Sequence, residues 1–271
     1  MTRFFKESVE DFRSVVDLLH SGELVALPTE TVYGLAGDAL RPNVVRKIFE
    51  VKMRPFIDPL IVHIANYGQV EEIAEPPREL DFLAESFWPG PLTVVLPKKA
   101  KVPDLVTAGL PSVGIRMPSH SYIRKVLQQS GLFLAAPSAN PFGYLSPTRA
   151  VHVTNSFGPK VPHIVDGGNC KHGIESTILG LLNPNEPVLL RPGPIAREKL
   201  EAILGRQINI PCKGFEEYGE VNQIAPGNLK KHYSPSTPMD LFPNGSSAPQ
   251  TFKASKTPTA LVFYQRKKET P

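Results

Sequence analysis

The chain has 271 residues, of which 41% are hydrophobic, so it is long enough for a sizeable core in one domain or in one domain and part of another. Its net charge of +4 is compatible with an anionic ligand or RNA but requires neither. The two cysteines are far apart, and no segment is apolar enough for a signal peptide or a membrane span. A disulfide framework, a thiolate zinc site and a membrane protein are thus disfavoured, and a cytoplasmic location is expected.

The hydrophobic pattern alternates between helices and short strands over the first 208 residues. Helices are predicted at 8–20 (capped by Ser8), 43–52 (capped by Asn43), 67–74, 78–87, 119–129, 149–157 and 196–205 (started by Pro194). Strands are predicted at 23–28, 59–64, 92–96, 112–117, 132–137 and 163–166, with a hairpin at 176–191. This mixture predicts an α/β (α+β) fold, with a mixed twisted sheet flanked by helices, in a domain at residues 1–210.

The composition changes after residue 210. Residues 211–237 include the proline-rich, polar stretch "APGNLKKHYSPSTP" and are predicted to be a linker. Residues 238–271 contain two strand-like stretches, "MDLF" and "ALVFY", which are too few to enclose a core. We therefore expect only a partial C-terminal domain in this part of the chain.

The segment "VKMRPFIDPLIVHI", residues 51–64, carries two cations one residue apart. Pro55 disfavours a helical Arg54, so an extended backbone is expected, with Lys52 and Arg54 on one face and Met53 opposite. Two such cations can hold phosphate or carboxylate oxygens, but a solvated helix end explains the spacing equally well. His63, alone on a strand, is open to a structural or a functional interpretation.

Three loops rich in hydroxyl groups and glycine follow predicted strands: "LPTETVYGLAGDA" (27–39), "APSANPFGYLSPT" (136–148) and "DGGNCKHGIESTIL" (166–179). Such loops allow backbone and side chains to approach a ligand at the ends of strands. Together with the paired cations they predict a site for a polar, anionic small molecule. No Walker loop, dinucleotide fingerprint, zincin or nucleophile-elbow motif is present, so those enzyme classes lose support.

The motifs also resemble a known family. "PTETVYGL", "KMRP", "DPLIVHI", "SVGIRMP", "APSAN", "ESTIL" and "LLRPGP" occur in the order found in the YrdC-like family of threonylcarbamoyl-AMP synthases, and "APGNLKKHYSP" is similar to the linker of its long, two-domain form. The resemblance implies a YrdC-like catalytic domain and the start of a Rossmann-like C-terminal domain. It also implies a nucleotidyltransferase that converts L-threonine, bicarbonate and ATP, with Mg²⁺, into threonylcarbamoyl-AMP and pyrophosphate. The product would go to the transferase machinery that forms threonylcarbamoyl-adenosine in tRNA.

The same resemblance implies residue roles. Lys52 and Arg54 are expected to be catalytic and to bind ATP together with Ser138, Asn140, Ser146, Arg191 and Tyr233. Threonine is expected to contact Thr31, His63, Arg116 and Ser176. No protein ligand to a metal is predicted, and Asp58, close to the cations, has no predicted role. Because Tyr233 matches a nucleotide contact, the linker is expected to close over the active site.

Two other functions remain open. An RNA-binding module would suit a net basic chain, and weak tRNA binding is compatible with the enzyme as well. A dihydroxybutanone-phosphate synthase, which has a related fold, would need an acidic metal-binding cluster that the sequence does not show.

Overall fold

The N-terminal helix follows its sequence signals closely. In a computed structural model, which describes residues 2–6, 8–210, 224–227 and 234, helix α1 spans Val9–His20. Ser8 caps it, since Ser8 Oγ accepts a hydrogen bond from the Asp11 N–H at 3.1 Å. Val15 and Leu19 are its buried residues, whereas Val9 is 72% exposed. The face that packs on the core therefore begins after the first turn of the helix.

The other helices lie close to their predicted positions. They are α2 (Pro42–Lys52), α3 (Val70–Ile73), α4 (Glu79–Phe87), α5 (Ser121–Ser130), α6 (Ala150–Phe157) and α7 (Arg197–Leu204), with 3₁₀ turns at Tyr67–Gln69 and Gly158–Lys160. The prediction that Asn43 caps α2 is wrong: Arg41 occupies the cap position and Pro42 the first turn, where a missing N–H costs nothing. Pro194 likewise precedes α7 instead of starting it. No helix in the described ranges is long and apolar enough to cross a membrane.

Ten strands of the described chain form one mixed sheet, in the order β1-β8-β2-β3-β7-β4-β6-β5-β9-β10. They are β1 (Arg3–Phe5), β2 (Val25–Leu27), β3 (Gly34–Asp38), β4 (Ile61–His63), β5 (Leu92–Pro97), β6 (Ser112–Arg116), β7 (Leu134–Ala135), β8 (His163–Val165), β9 (Thr177–Gly180) and β10 (Val188–Arg191). Parallel pairs such as β4 with β6 stand beside antiparallel ones such as β5 with β6. The predicted fold class and the hairpin of β9 and β10 are confirmed.

Strand β3 was predicted to be part of a loop because its sequence, "GLAGD", is rich in glycine. All five of its residues are buried. A Cβ atom on Gly37 would lie 2.7 Å from side-chain atoms of Leu24 and Val44. The glycine therefore serves close packing of α2 on the sheet, and not flexibility.

The two faces of the sheet pack against different helices. Along β2, Val25 and Leu27 join α1 and α5 in one cluster of buried side chains, while Ala26 joins the larger cluster on the other face. Along β4, Val62 faces that larger cluster and Ile61 faces away from it. Since side chains alternate along a strand, His63 lies on the same face as Ile61. The described residues all belong to one compact unit, residues 1–234.

Candidate active site

An open cleft lies over the face of β4, β6, β5 and β9 that carries His63. Its empty volume, counting the open space at its mouth, is about 460 Å³. His63 is in register with Arg116 on β6, and Arg116 is in register with Thr93 on β5, so the three side chains form a row across the sheet. The cleft is lined by Thr31, Val32, Arg54, Pro59, Ile61, His63, Arg116, Ala136, Pro137, Ser138, Glu175, Ser176, Arg191 and Pro226.

The paired cations Lys52 and Arg54 are directed into the site by the C-terminal end of α2, and not by an extended segment. Lys52 is the last residue of α2, and Met53 is left-handed, with φ 52° and ψ 38°. The Arg54 N–H bonds the Phe49 carbonyl and the Met53 N–H bonds the Glu50 carbonyl, which together make a Schellman motif. Lys52 and Arg54 point inward while Met53 is 66% exposed. The predicted arrangement of the side chains is right, but the extended backbone proposed for it is wrong.

Lys52 is fully buried behind the cleft and is not among its lining residues. Its Nζ donates to the carbonyl oxygens of Ser138 and Asn140, each at 2.5 Å. Burial, followed by the charge of Arg54, lowers the pKa of Lys52 to about 7. The ammonium therefore ties the end of α2 to the loop after β7, and its role toward phosphate stays a prediction.

Arg54 accounts for Asp58, the residue that had no predicted role. Arg54 Nη2 lies 3.0 Å from Asp58 Oδ2, and both side chains are nearly inaccessible to solvent. The guanidinium also donates to the carbonyl oxygens of Asp58 and Pro59. Asp58 thus neutralises and orients the arginine, which lines the cleft.

Arg116 is held in the same way by a second carboxylate. Arg116 Nη2 lies 2.6 Å from Glu30 Oε1, and the other Glu30 oxygen accepts the Ser119 N–H at 3.1 Å. Burial alone would raise the pKa of Glu30, but the charge and hydrogen bonds of Arg116 outweigh it and lower the pKa below its ordinary value. Glu30 is therefore ionised at neutral pH.

A third pair joins Arg191, at the end of β10, to Glu175. Arg191 Nη1 lies 2.5 Å from Glu175 Oε2 and also donates to the Pro226 carbonyl at 3.2 Å. Its Nε and Nη2 donate to the carbonyl and hydroxyl oxygens of Ser176. The remaining Glu175 oxygen accepts from Ser146 Oγ at 2.9 Å. With these partners, all five N–H bonds of the guanidinium are used and its orientation is fixed.

Two buried polar atoms of the site have no hydrogen-bond partner among the described residues. One is His63 Nδ1, and the other is Asn140 Oδ1. Burial, followed by the charge of Arg116, lowers the pKa of His63 to about 3, so the imidazole is neutral. The Asn140 amide nitrogen donates to the Pro141 and Tyr144 carbonyl oxygens, which fixes the orientation of the amide. Unpaired buried atoms are costly, so both suit contacts with a ligand.

The structure thus brings most of the predicted site residues together. Those that line the cleft are Thr31, Arg54, His63, Arg116, Ser138, Ser176 and Arg191. Lys52, Asn140 and Ser146 lie directly behind it through the bonds given above, and Tyr233 lies outside the described residues. The prediction assigned no role to Glu30, Asp58, Glu175 or Pro226. The sequence did contain a signal for the three acidic residues, since each lies in the same loop as a predicted site residue.

Two family models match the sequence. The Sua5/YciO/YrdC model, described as "Telomere recombination", matches residues 17–193. A second model, described as "Threonylcarbamoyl-AMP synthase, C-terminal domain", matches residues 195–270. Together they bear out the predicted two-domain form at the level of sequence.

Similar proteins include a threonylcarbamoyl-AMP synthase of Pyrococcus abyssi, 45% identical over 234 residues, which are 85% of this chain and 68% of that protein. Another, from Bacillus subtilis, is 46% identical over 226 residues, or 83% of this chain and 64% of the relative. The crystal structure of P. abyssi Sua5 complexed with L-threonine superposes with a TM-score of 0.81 at 43% identity, covering 87% of this chain and 69% of that one. The chain thus spans about two thirds of the length of these relatives.

Proposed function

The chain belongs to the YrdC-like family of threonylcarbamoyl-AMP synthases, and on that premise we propose that its cleft forms threonylcarbamoyl-AMP and pyrophosphate from L-threonine, bicarbonate and ATP. The product would serve threonylcarbamoyl-adenosine modification of tRNA and pass to the transferase machinery of that modification. The observation that carries the proposal is the convergence of three buried arginines, from separate elements, on one cleft.

The chemistry of the lining residues supports a division of the cleft between two substrates. Arg116 stands beside neutral His63 on the sheet, and these two residues suit the carboxylate and a polar group of an amino acid. The threonine complex of the P. abyssi relative supports L-threonine as that amino acid. Arg54 and the Ser138 hydroxyl are left for the phosphates of ATP, with Lys52, Asn140 and Ser146 behind them. Arg191, whose N–H groups are all engaged by the protein, contributes its positive charge.

In the proposed reaction the threonine amine takes up bicarbonate to give a carbamate and water. A carbamate oxygen then attacks the α-phosphorus of ATP, and the bond to the leaving pyrophosphate breaks. No protein nucleophile is needed, so the contribution of the protein is to position the reactants and to stabilise the charge that develops on pyrophosphate. Arg54, buried and already oriented by Asp58, is suited to this second task.

Magnesium would enter with ATP. In the described part of the chain no group of three or more His, Cys, Asp or Glu side chains could hold a metal ion. Mg²⁺ commonly keeps several waters and binds through substrate phosphates with few protein ligands. The bound ion would neutralise phosphate charge, and we assign no residue of this chain as its ligand.

The linker is proposed to close over the cleft. Of its residues, 224–227 are described, and they already border the site: Ala225 is fully buried against Ile61 and Ile178, and the Pro226 carbonyl accepts from Arg191. The rest of this segment apart from Ser234, including Tyr233, lies outside the described residues. A cover at this place would keep water from a product that hydrolyses readily.

The test is pyrophosphate release, measured with all three substrates and with each one omitted. We expect release only when threonine, bicarbonate and ATP are all present, and its absence from the complete mixture would contradict the proposal. Arg54→Lys, which keeps the charge but loses the planar fork, should lower turnover at least tenfold. Lys101→Ala, at an exposed ion pair with Glu72, is the matched control and should be as active as the unmodified protein.

A further inference from the structure

Glu175 is a buried carboxylate to which no role was assigned from the sequence, and it connects three separate parts of the fold. It precedes β9, it accepts from Ser146 in the loop after β7, and it pairs with Arg191 at the end of β10. Its two oxygens serve different partners, at 2.9 Å and 2.5 Å. Only 9% of the residue is exposed, although it lines the cleft.

A carboxylate is an unexpected neighbour for a site that binds phosphates. An anion there repels the ligand electrostatically, so its presence needs a compensating effect. The geometry provides one, because the bond to Glu175 completes the set of hydrogen bonds that fixes Arg191 before a ligand arrives, and the same carboxylate holds Ser146. An arginine whose N–H groups are all engaged presents a fixed positive charge and loses no rotamer freedom on binding.

We propose that Glu175 is a positioning residue for the nucleotide end of the cleft, which fixes the Arg191 guanidinium and the Ser146 hydroxyl relative to each other. The inference rests on the proposed function, since it takes Arg191 and Ser146 as residues of the ATP subsite. In this role the length of the Glu175 side chain matters and its charge does not, because its carboxylate must bridge two groups.

Two substitutions separate the effect of side-chain length from the effect of charge. Glu175→Asp keeps the charge but shortens the side chain by one carbon, about 1.5 Å, so that it cannot bridge both partners. Glu175→Gln keeps the length: its amide oxygen can accept from Arg191 and its amide nitrogen can donate to Ser146 Oγ. Glu79→Asp, at the ion pair with Arg206 away from the cleft, is the matched control.

The readouts are the Kd for ATP, measured by calorimetry, and the KM values for ATP and threonine. We expect Glu175→Asp to raise the Kd and KM for ATP on the order of tenfold and Glu175→Gln to raise them less than about threefold, with the KM for threonine unchanged in both. Glu79→Asp should change none of these.

Three results would overturn the inference. One is a larger effect for Glu175→Gln than for Glu175→Asp, which would make the charge decisive. Another is no effect of either substitution on ATP. The third is an equal rise in both KM values together with a lower Tm, which would indicate a general structural role. If the unmodified protein binds ATP but releases no pyrophosphate, the proposed function fails while the Kd comparison still decides on Glu175; if it does not bind ATP, both fail.

Discussion

The pair between Glu30 and Arg116 allows the sharpest prediction, because it is buried and its partners are known. We consider Glu30→Gln, which keeps the shape of the side chain and a hydrogen-bonding oxygen but removes the charge. Arg116 would then keep its guanidinium charge, 5% exposed, with its nearest counter-charge removed. The substitution therefore probes the charge of the pair and leaves its packing intact.

The expected loss in the free energy of unfolding is large. Removing one partner from a buried pair costs ~3–5 kcal/mol. Because glutamine can still accept from Arg116 or from the Ser119 N–H, the lower end of that range, about 3 kcal/mol, is expected at neutral pH.

The loss should also depend on pH with a defined sign. The pKa of Glu30 is lower in the folded state than its ordinary value of 4.5, so its charge stabilises the fold above pH 4.5. That stabilisation is lost as the pH falls through the lowered pKa. The difference between the unmodified protein and Glu30→Gln should thus be constant near neutrality and shrink below pH 4.5.

Urea unfolding followed by the fluorescence of Trp88, the single tryptophan and a buried one, measures both quantities. Glu72→Gln is the control, since Glu72 pairs with Lys101 at the surface and should contribute little. A loss below about 1 kcal/mol for Glu30→Gln would refute the claim that the pair is a buried, ionised one. A difference that stays constant down to pH 3 would refute the lowered pKa.

Three further predictions follow from the same site. Met53→Gly should leave the protein as stable or up to ~1 kcal/mol more stable in thermal unfolding, because glycine adopts the left-handed conformation without strain; a clear loss would contradict the strain at this position. Burial, with the charge of Arg54, lowers the pKa of Lys52 to about 7, so the unfolded chain binds the proton more tightly. The stability of the unmodified protein should therefore rise above pH 7 relative to Lys52→Met, and parallel pH curves in urea unfolding would contradict this. Ending the chain after Gly227 retains Ala225 and Pro226, which pack on the site, so the Tm should change little. Turnover should fall, or the product should be hydrolysed before it leaves the site. Unchanged kinetics would contradict the proposed cover.

Much of the fold was predictable because the local signals are strong. The α1 cap at Ser8, the hairpin of β9 and β10 and the alternation around His63 all follow from local pattern. Strand β3 was not predictable in this way, since the role of Gly37 depends on Leu24 and Val44, which approach it only in the folded state.

The candidate site shows the same division. The sequence indicated that Lys52 and Arg54 share a direction, but the helix end that aims them depends on a left-handed Met53, a conformation that methionine rarely adopts. The acids were harder to interpret, because an acid near a phosphate site is expected to repel. Only the folded structure shows that Asp58 forms a buried ion pair with Arg54.

The pairing of each arginine with one carboxylate has a physical reason. The three carboxylates Glu30, Asp58 and Glu175 balance the three buried arginines, and Lys52, whose pKa is lowered to about 7, adds at most one positive charge. Four unpaired charges of one sign could not be buried at an acceptable cost in free energy. Each carboxylate also fixes the orientation of its arginine before any ligand binds, so the entropy of ordering is lost on folding and not on binding. In the proposed reaction both products are anionic, and a small net charge limits how tightly such a site would hold them.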